Sequence, residues 1–159
     1  MIALIFAFFA IIFVELVAYF EPYAFPLHLA QGEARKIADN VIIGPYSQRK
    51  DLERLKRYSG VVEVISLLDP DLPIERQLLE RERDEAKILG LKFSNYPMNI
   101  FNLNSYSNER TADKIADYAA RNFGPRSKGK LYINCYLGKH RVKLVEKALR
   151  KRSLSKSAP

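Results

Sequence analysis

One cysteine, Cys135, is all that this chain of 159 residues contains. A single thiol closes no internal disulfide, so no disulfide framework holds the fold and the thiol is compatible with a reducing compartment. Internal repeats and low-complexity tracts are also missing, and one domain of ordinary size is expected, with 48% apolar residues to build its core. There is no finger spacing and no stacking-aromatic motif, so specific nucleic-acid recognition is not expected. No metal or other cofactor is called for either. What the chain has in excess is positive charge: 26 Lys and Arg against 18 Asp and Glu give +8, which favours anionic partners such as phosphorylated substrates or anionic lipid head groups.

Charge is nearly absent from the first 20 residues, MIALIFAFFAIIFVELVAYF, where Glu15 is the exception. At 1.5 Å rise per residue, about 20 apolar residues cover the roughly 30 Å hydrocarbon core of a bilayer, so residues 1–20 read as a transmembrane anchor. A cleaved signal peptide would want basic residues before the run and a small-x-small site after it. The first are missing, and EPYAFP is a poor version of the second. A buried helix is the remaining alternative. Glu15, near the end of the span, suits snorkelling or contact with a partner helix. Arg35, Lys36, Arg49 and Lys50 follow the span and no cation precedes it, which puts the rest of the chain on the cytoplasmic side. Residues 21–38 then form a juxtamembrane linker, residues 39–152 the folded domain, and residues 153–159 a frayed polar tail.

Within the domain, apolar runs alternate with helical periodicities. NVIIGPYSQ reads as a strand ended by a Gly-Pro turn. QRKDLERLKRYSG places Leu52, Leu55 and Tyr58 at helical spacing, with Ser47 able to cap the start and Gly60 to stop the end. VVEVISLL is a β-branched run of the kind buried on both faces in parallel sheets. LPIERQLLERERDEAKILG returns to helical spacing with Leu78, Leu79, Ala86 and Leu89 inward, and its charges read as a solvated face without function. A strand in LKFSNYPMNIF, a Ser- or Asn-capped helix in SNERTADKIADYAARNFG, a strand in KGKLYINC and a last helix in VKLVEKALRKR complete the order. The expected fold is α/β, a mainly parallel central sheet flanked by helices.

In an open parallel sheet, ligands bind beyond the carboxyl ends of the strands, and Cys135 stands where a strand ends and a helix is about to begin. The run C-Y-L-G-K-H-R follows it with Gly138 and then Arg141. The backbone amides of such a turn can form an anion nest, helped by the helix N-terminus. Gly138 allows a backbone angle that a side chain would hinder. Arg141 can grip two phosphate oxygens, and a cationic setting favours a nucleophilic thiolate.

INCYLGKHRV resembles the signature loop of the cysteine-dependent protein tyrosine phosphatase superfamily, in which Cys and Arg bracket five residues. NVIIGPYSQRKDLERLKRYSGVVEVISLLDP resembles the entry segment of its compact dual-specificity branch, and the likeness spans roughly residues 39–150. The resemblance implies that Cys135 attacks phosphorus, that Tyr136, Leu137, Gly138, Lys139, His140 and Arg141 cradle the phosphate, and that Arg141 stabilises its equatorial oxygens. Three positions depart from the pattern. Asn134 stands where the family commonly has His, Val142 stands where a hydroxyl residue usually follows the Arg, and NYPMNIFNLNS lacks the general acid Asp. Lys139 and His140 add positive charge in partial compensation. Asp69 or Asp71, in SLLDPDLP, is expected to reach the same rim, Asp69 as acid or substrate-orienting group, while Asn99 and Asn102 are expected to hold water or substrate. The resemblance implies a membrane-anchored phosphatase forming a cysteinyl-phosphate. Its substrate would be a phosphoprotein or a membrane phospholipid, and the alternative is a weakly active phosphate-binding module.

Overall fold

The computed structural model describes residues 8–12 and 31–157, with side chains as far as residue 152. The chain divides into two compact units, Met1–Gln31 and Gly32–Pro159. Of the first unit, residues 8–12 are helical, and the rest of the expected span over 1–20 lies outside the described residues, as does the linker from 21 to 30. Among the described residues no helix is long and apolar enough to cross a membrane.

The second unit is a five-stranded sheet with helices on both faces. Its strands are β1 Arg35–Ala38, β2 Val41–Pro45, β3 Val61–Ser66, β4 Lys92–Asn95 and β5 Lys130–Cys135. Its helices are α1 Arg49–Arg54, which widens into a π-turn over Leu55–Ser59, α2 Pro73–Ile88, α3 Tyr106–Asn122 and α4 Arg141–Ser157. The sheet order is β1-β2-β5-β3-β4, antiparallel only between β1 and β2. β5, the last strand in sequence, is therefore central, and Cys135 ends it between Pro45 of β2 and the end of β3.

Strand side chains alternate between faces, and the core divides accordingly. Ile43, Ile65, Leu131 and Ile133 pack against Ala112, Ile115, Ala116 and Ala119 of α3 and Val142 and Val145 of α4. Their neighbours Ile42, Val64 and Tyr132 face the other way, onto Leu52 of α1 and Ala86 of α2.

Four local features differ from the sequence reading. Residues 35–38 are not linker: they form the edge strand β1, where backbone pairing with β2 rather than side-chain burial makes the strand. Ser47 does not cap α1, since its hydroxyl is buried and hydrogen-bonds Tyr132 at 3.0 Å. Gly60 does stop that segment, with φ of 74°, but the π-turn before it swings Tyr58 out to solvent. α4 continues to Ser157, into the residues read as a tail.

Candidate active site

The loop from Cys135 to Arg141 joins β5 to α4 at the carboxyl edge of the sheet. Gly138 N–H closes a turn onto the Cys135 carbonyl at 3.1 Å. The carbonyls of Tyr136 and Leu137 accept from the amides of Tyr46 and Gly32, so they point away from the hollow of the loop. Gly138 has φ of 67°, and a Cβ there would stand 2.3 Å from the Pro45 nitrogen. Only glycine fits both the left-handed backbone and that close approach to β2.

Arg141 lies under this loop with 3% of its surface exposed, beside Cys135 with 2%. Its Nη1 donates to the Leu67 carbonyl at 2.9 Å, the Met98 carbonyl at 3.2 Å and Glu75 Oε2 at 2.8 Å, and its Nη2 donates to Glu75 Oε1 at 2.5 Å. Burial works against the charge. The bonded Glu75 carboxylate and, after it, the Cys135 sulfur outweigh burial and raise the Arg141 pKa further. Glu75 binds the guanidinium end-on, one carboxylate oxygen to each terminal nitrogen. Glu75 Oε2 also accepts from the Asp69 amide at 2.7 Å.

Glu75 and Glu82 belong to the run of charges read as a solvated face, and that reading is corrected by their burial on the inner side of α2. Glu82 Oε1 accepts from Asn134 Nδ2 at 2.6 Å, and Asn134 Oδ1 accepts from Ser66 Oγ at 3.3 Å. The residue before Cys135 is thus held from both sides by buried polar groups. The signal was in the spacing: Glu75, Leu78, Leu79, Glu82 and Ala86 follow i, i+3, i+4, i+7, i+11, so both acids share the apolar stripe.

A cavity of about 170 Å³ opens over Cys135 and Arg141, lined also by Glu75, Ile100, Leu103, Tyr136, Leu137 and His140. Of the residues expected to cradle phosphate, Gly138 is instead buried against β2 and Lys139 lies outside the lining. Asp69 is not in the lining either: its Oδ1 accepts from the Asp71 amide at 3.1 Å and shapes its own turn. Asp71 is exposed beside it. Val142 is fully buried among the residues between α3 and the sheet, so the position after the Arg serves the core.

The segment that lacks an acid is tied down by asparagines. Asn99 Oδ1 accepts from the amides of Phe101 and Asn102, and Asn108 of α3 bonds the Asn99 amide and the carbonyls of Asn99, Asn102 and Leu103. Asn99 therefore holds its own loop rather than a ligand. The loop turns Ile100 and Leu103 toward the cavity and leaves Phe101 80% exposed. A larger groove of about 400 Å³, lined by Ile37, Val41, Phe123 and Leu149 among others, has no thiol or hydroxyl side chain in its lining.

No family model and no curated protein matches the sequence. Among solved structures, the fold is similar to that of a protein from Shewanella putrefaciens CN-32 described as a candidate phosphatase (DUF442), with a TM-score of 0.53 and 12% identity over 82% of this chain and 79% of that one. At that identity the likeness shows a shared α/β fold alone, a five-stranded sheet flanked by helices.

Proposed function

We propose that this protein is a membrane-anchored phosphatase that hydrolyses phosphomonoesters, of phosphotyrosine or dual-specificity type, through a cysteinyl-phosphate. One observation carries the reading. Cys135 and Arg141 meet in the lining of one small cavity at the carboxyl ends of parallel strands, with both terminal nitrogens of Arg141 held by Glu75. The fold shared with the Shewanella candidate phosphatase is consistent with it. In the proposed reaction the Cys135 thiolate attacks phosphorus, the P–O bond to the leaving group breaks, and the departing oxygen takes up a proton. Water then attacks the phosphocysteine, the S–P bond breaks, and inorganic phosphate leaves while the thiolate is restored. Arg141 and the loop amides bear the charge that develops on the phosphoryl oxygens.

The experiment is hydrolysis of an aryl phosphate and of phosphopeptides by the full chain and by Cys135→Ser. The Ser variant is expected to lose turnover entirely. Equal rates for the two proteins would make the site a phosphate-binding module instead, a reading favoured by the missing hydroxyl at Val142 and the acid-free loop over 95–105.

A further inference from the structure

Resting on the phosphatase reading, we infer that His140 is the proton donor to the leaving group, in place of the acid that the loop over 95–105 lacks. In an in-line displacement the leaving oxygen lies on the far side of phosphorus from the attacking sulfur. With Cys135 and Arg141 buried at the floor of the cavity, that far side is its mouth, so the donor has to stand at the rim.

Among the described residues that line the cavity, the titratable and charged groups are Glu75 from α2 and Cys135, Tyr136, His140 and Arg141 from the loop. Glu75 has both oxygens engaged, by two nitrogens of Arg141 and by the Asp69 amide, in a buried ion pair. Tyr136 packs against Tyr46, Leu68, Leu78 and Leu79, and its hydroxyl is buried there. Arg141 stays charged, and Cys135 is the nucleophile. The facing loop contributes Ile100 and Leu103, which carry no proton. Lys139 and Lys143 are the remaining charged neighbours along the chain, and neither lines the cavity.

His140 is what remains, and it is placed for the task. It is exposed, it lines the cavity, and it directly precedes the anchored Arg141. Its carbonyl accepts from the Lys143 amide at 3.1 Å, which fixes its backbone at the start of α4. An imidazolium there gives its N–H proton to the ester oxygen as the P–O bond breaks. The neutral imidazole left behind then takes a proton from the water that attacks the phosphocysteine, and the cycle closes. Imidazole is the side chain that exchanges protons near neutral pH.

The test is a series of phosphate monoesters, from nitrophenyl phosphate to alkyl phosphates, hydrolysed by the full chain and by His140→Asn, His140→Asp and Asp69→Asn. A missing proton donor matters most for the poorest leaving groups. His140→Asn is expected to lose about 10²-fold on alkyl esters and at least tenfold less than that on nitrophenyl phosphate, within the range typical of general acid catalysis. Wild-type alkyl ester kcat/KM should fall as pH rises, and that fall should vanish in His140→Asn. It should return, displaced to lower pH, in His140→Asp, which again offers a proton. An equal loss on every ester, with the pH profile unchanged, would overturn the inference and leave His140 a mere contributor of charge. So would selectivity that collapses in Asp69→Asn and not in His140→Asn. The phosphatase reading fails separately, through a Cys135→Ser variant as active as the wild type, and takes the inference with it.

Discussion

Asn134 Nδ2 donates a 2.6 Å hydrogen bond to Oε1 of Glu82, which joins the residue before Cys135 to a carboxyl at the centre of α2. Glu82 is fully buried, and burial pushes its pKa up to about 8 against the opposing effect of the polar groups of Ser66, Asn134 and Ser47. The carboxyl is therefore mainly neutral at pH 7 in the folded protein, and it would ionise in the unfolded chain near the ordinary value of 4.5.

The sign of the pH effect follows. Between about pH 4.5 and about pH 8 the folded state keeps a proton that the unfolded state has released, so this group makes stability fall as pH rises. The slope is on the order of 1 kcal/mol per pH unit, and it levels off above pH 8 where both states are ionised. Glu82→Gln keeps the shape and a polar group for Asn134 without the titration. Its urea midpoint should exceed that of the wild type by an amount that grows from pH 5 to pH 8. Parallel pH curves for the two proteins would remove Glu82 as the source.

Glu75 and Arg141 form a buried pair with a different weakness. Glu75→Ala leaves the guanidinium in the interior with two carbonyls and no counter-charge, a change that costs about 3–5 kcal/mol for buried pairs. Glu75→Gln, which preserves packing and one acceptor, should cost less and still lower kcat/KM on aryl phosphate, because Arg141 would no longer be gripped at both terminal nitrogens. Urea denaturation and steady-state kinetics on the two variants check this. A Glu75→Ala protein as stable as the wild type would refute the assigned role.

Much of this site was legible in the sequence because a turn built on one Cys, one Gly and one Arg carries its own chemistry. The alternation of strands and helices along the chain and the burial of VVEVISLL were legible for a similar reason, since helical period and an unalternating β-branched run both report burial directly. Glu75 and Glu82 were not, because a charged residue on an apolar stripe reads as surface until its partner, 66 or 52 residues away, is known. The edge strand Arg35–Ala38 was missed because its partner is the backbone of β2, and only Ile37 turns toward the core. Asn108 escaped as well: the three residues its side chain bonds, Asn99, Asn102 and Leu103, lie in a loop without any periodicity.

Gly138→Ala tests the geometry of the turn. The new methyl would meet the Pro45 nitrogen at 2.3 Å and the Gly44 carbonyl carbon at 2.6 Å, both backbone atoms that cannot step aside. The left-handed backbone adds roughly 1–2 kcal/mol for a residue with a Cβ. The variant should lose well over that in stability and most of its aryl phosphate turnover. Gly60→Ala, with φ of 74° and nothing near the added methyl, should show only the backbone cost and keep its activity. Equal effects at the two glycines would mean that contact with β2 does not shape the loop.

The last prediction concerns place. The apolar run over 1–20 and the cations after it lead us to propose that the domain faces the cytoplasm, where phosphoproteins and inner-leaflet phospholipids are both within reach. Cys135 is too buried to report this by bulk labelling, so an exposed position is needed. Lys128→Cys on a Cys135→Ser background supplies one, since residue 128 is exposed in the loop before β5. A membrane-impermeant maleimide applied to intact cells should leave the new thiol unmodified until the membrane is opened. Labelling of intact cells would put the domain outside and remove cytosolic phosphoproteins from the substrates. With the orientation known, the full chain and a form starting at Gly32 can be compared on lipid phosphates in vesicles and on soluble phosphopeptides. Tethering raises the effective concentration of a membrane substrate and leaves a soluble one unchanged. An advantage of the full chain on vesicles alone would assign lipid phosphates, and equal rates of the two forms on both would assign soluble phosphoesters.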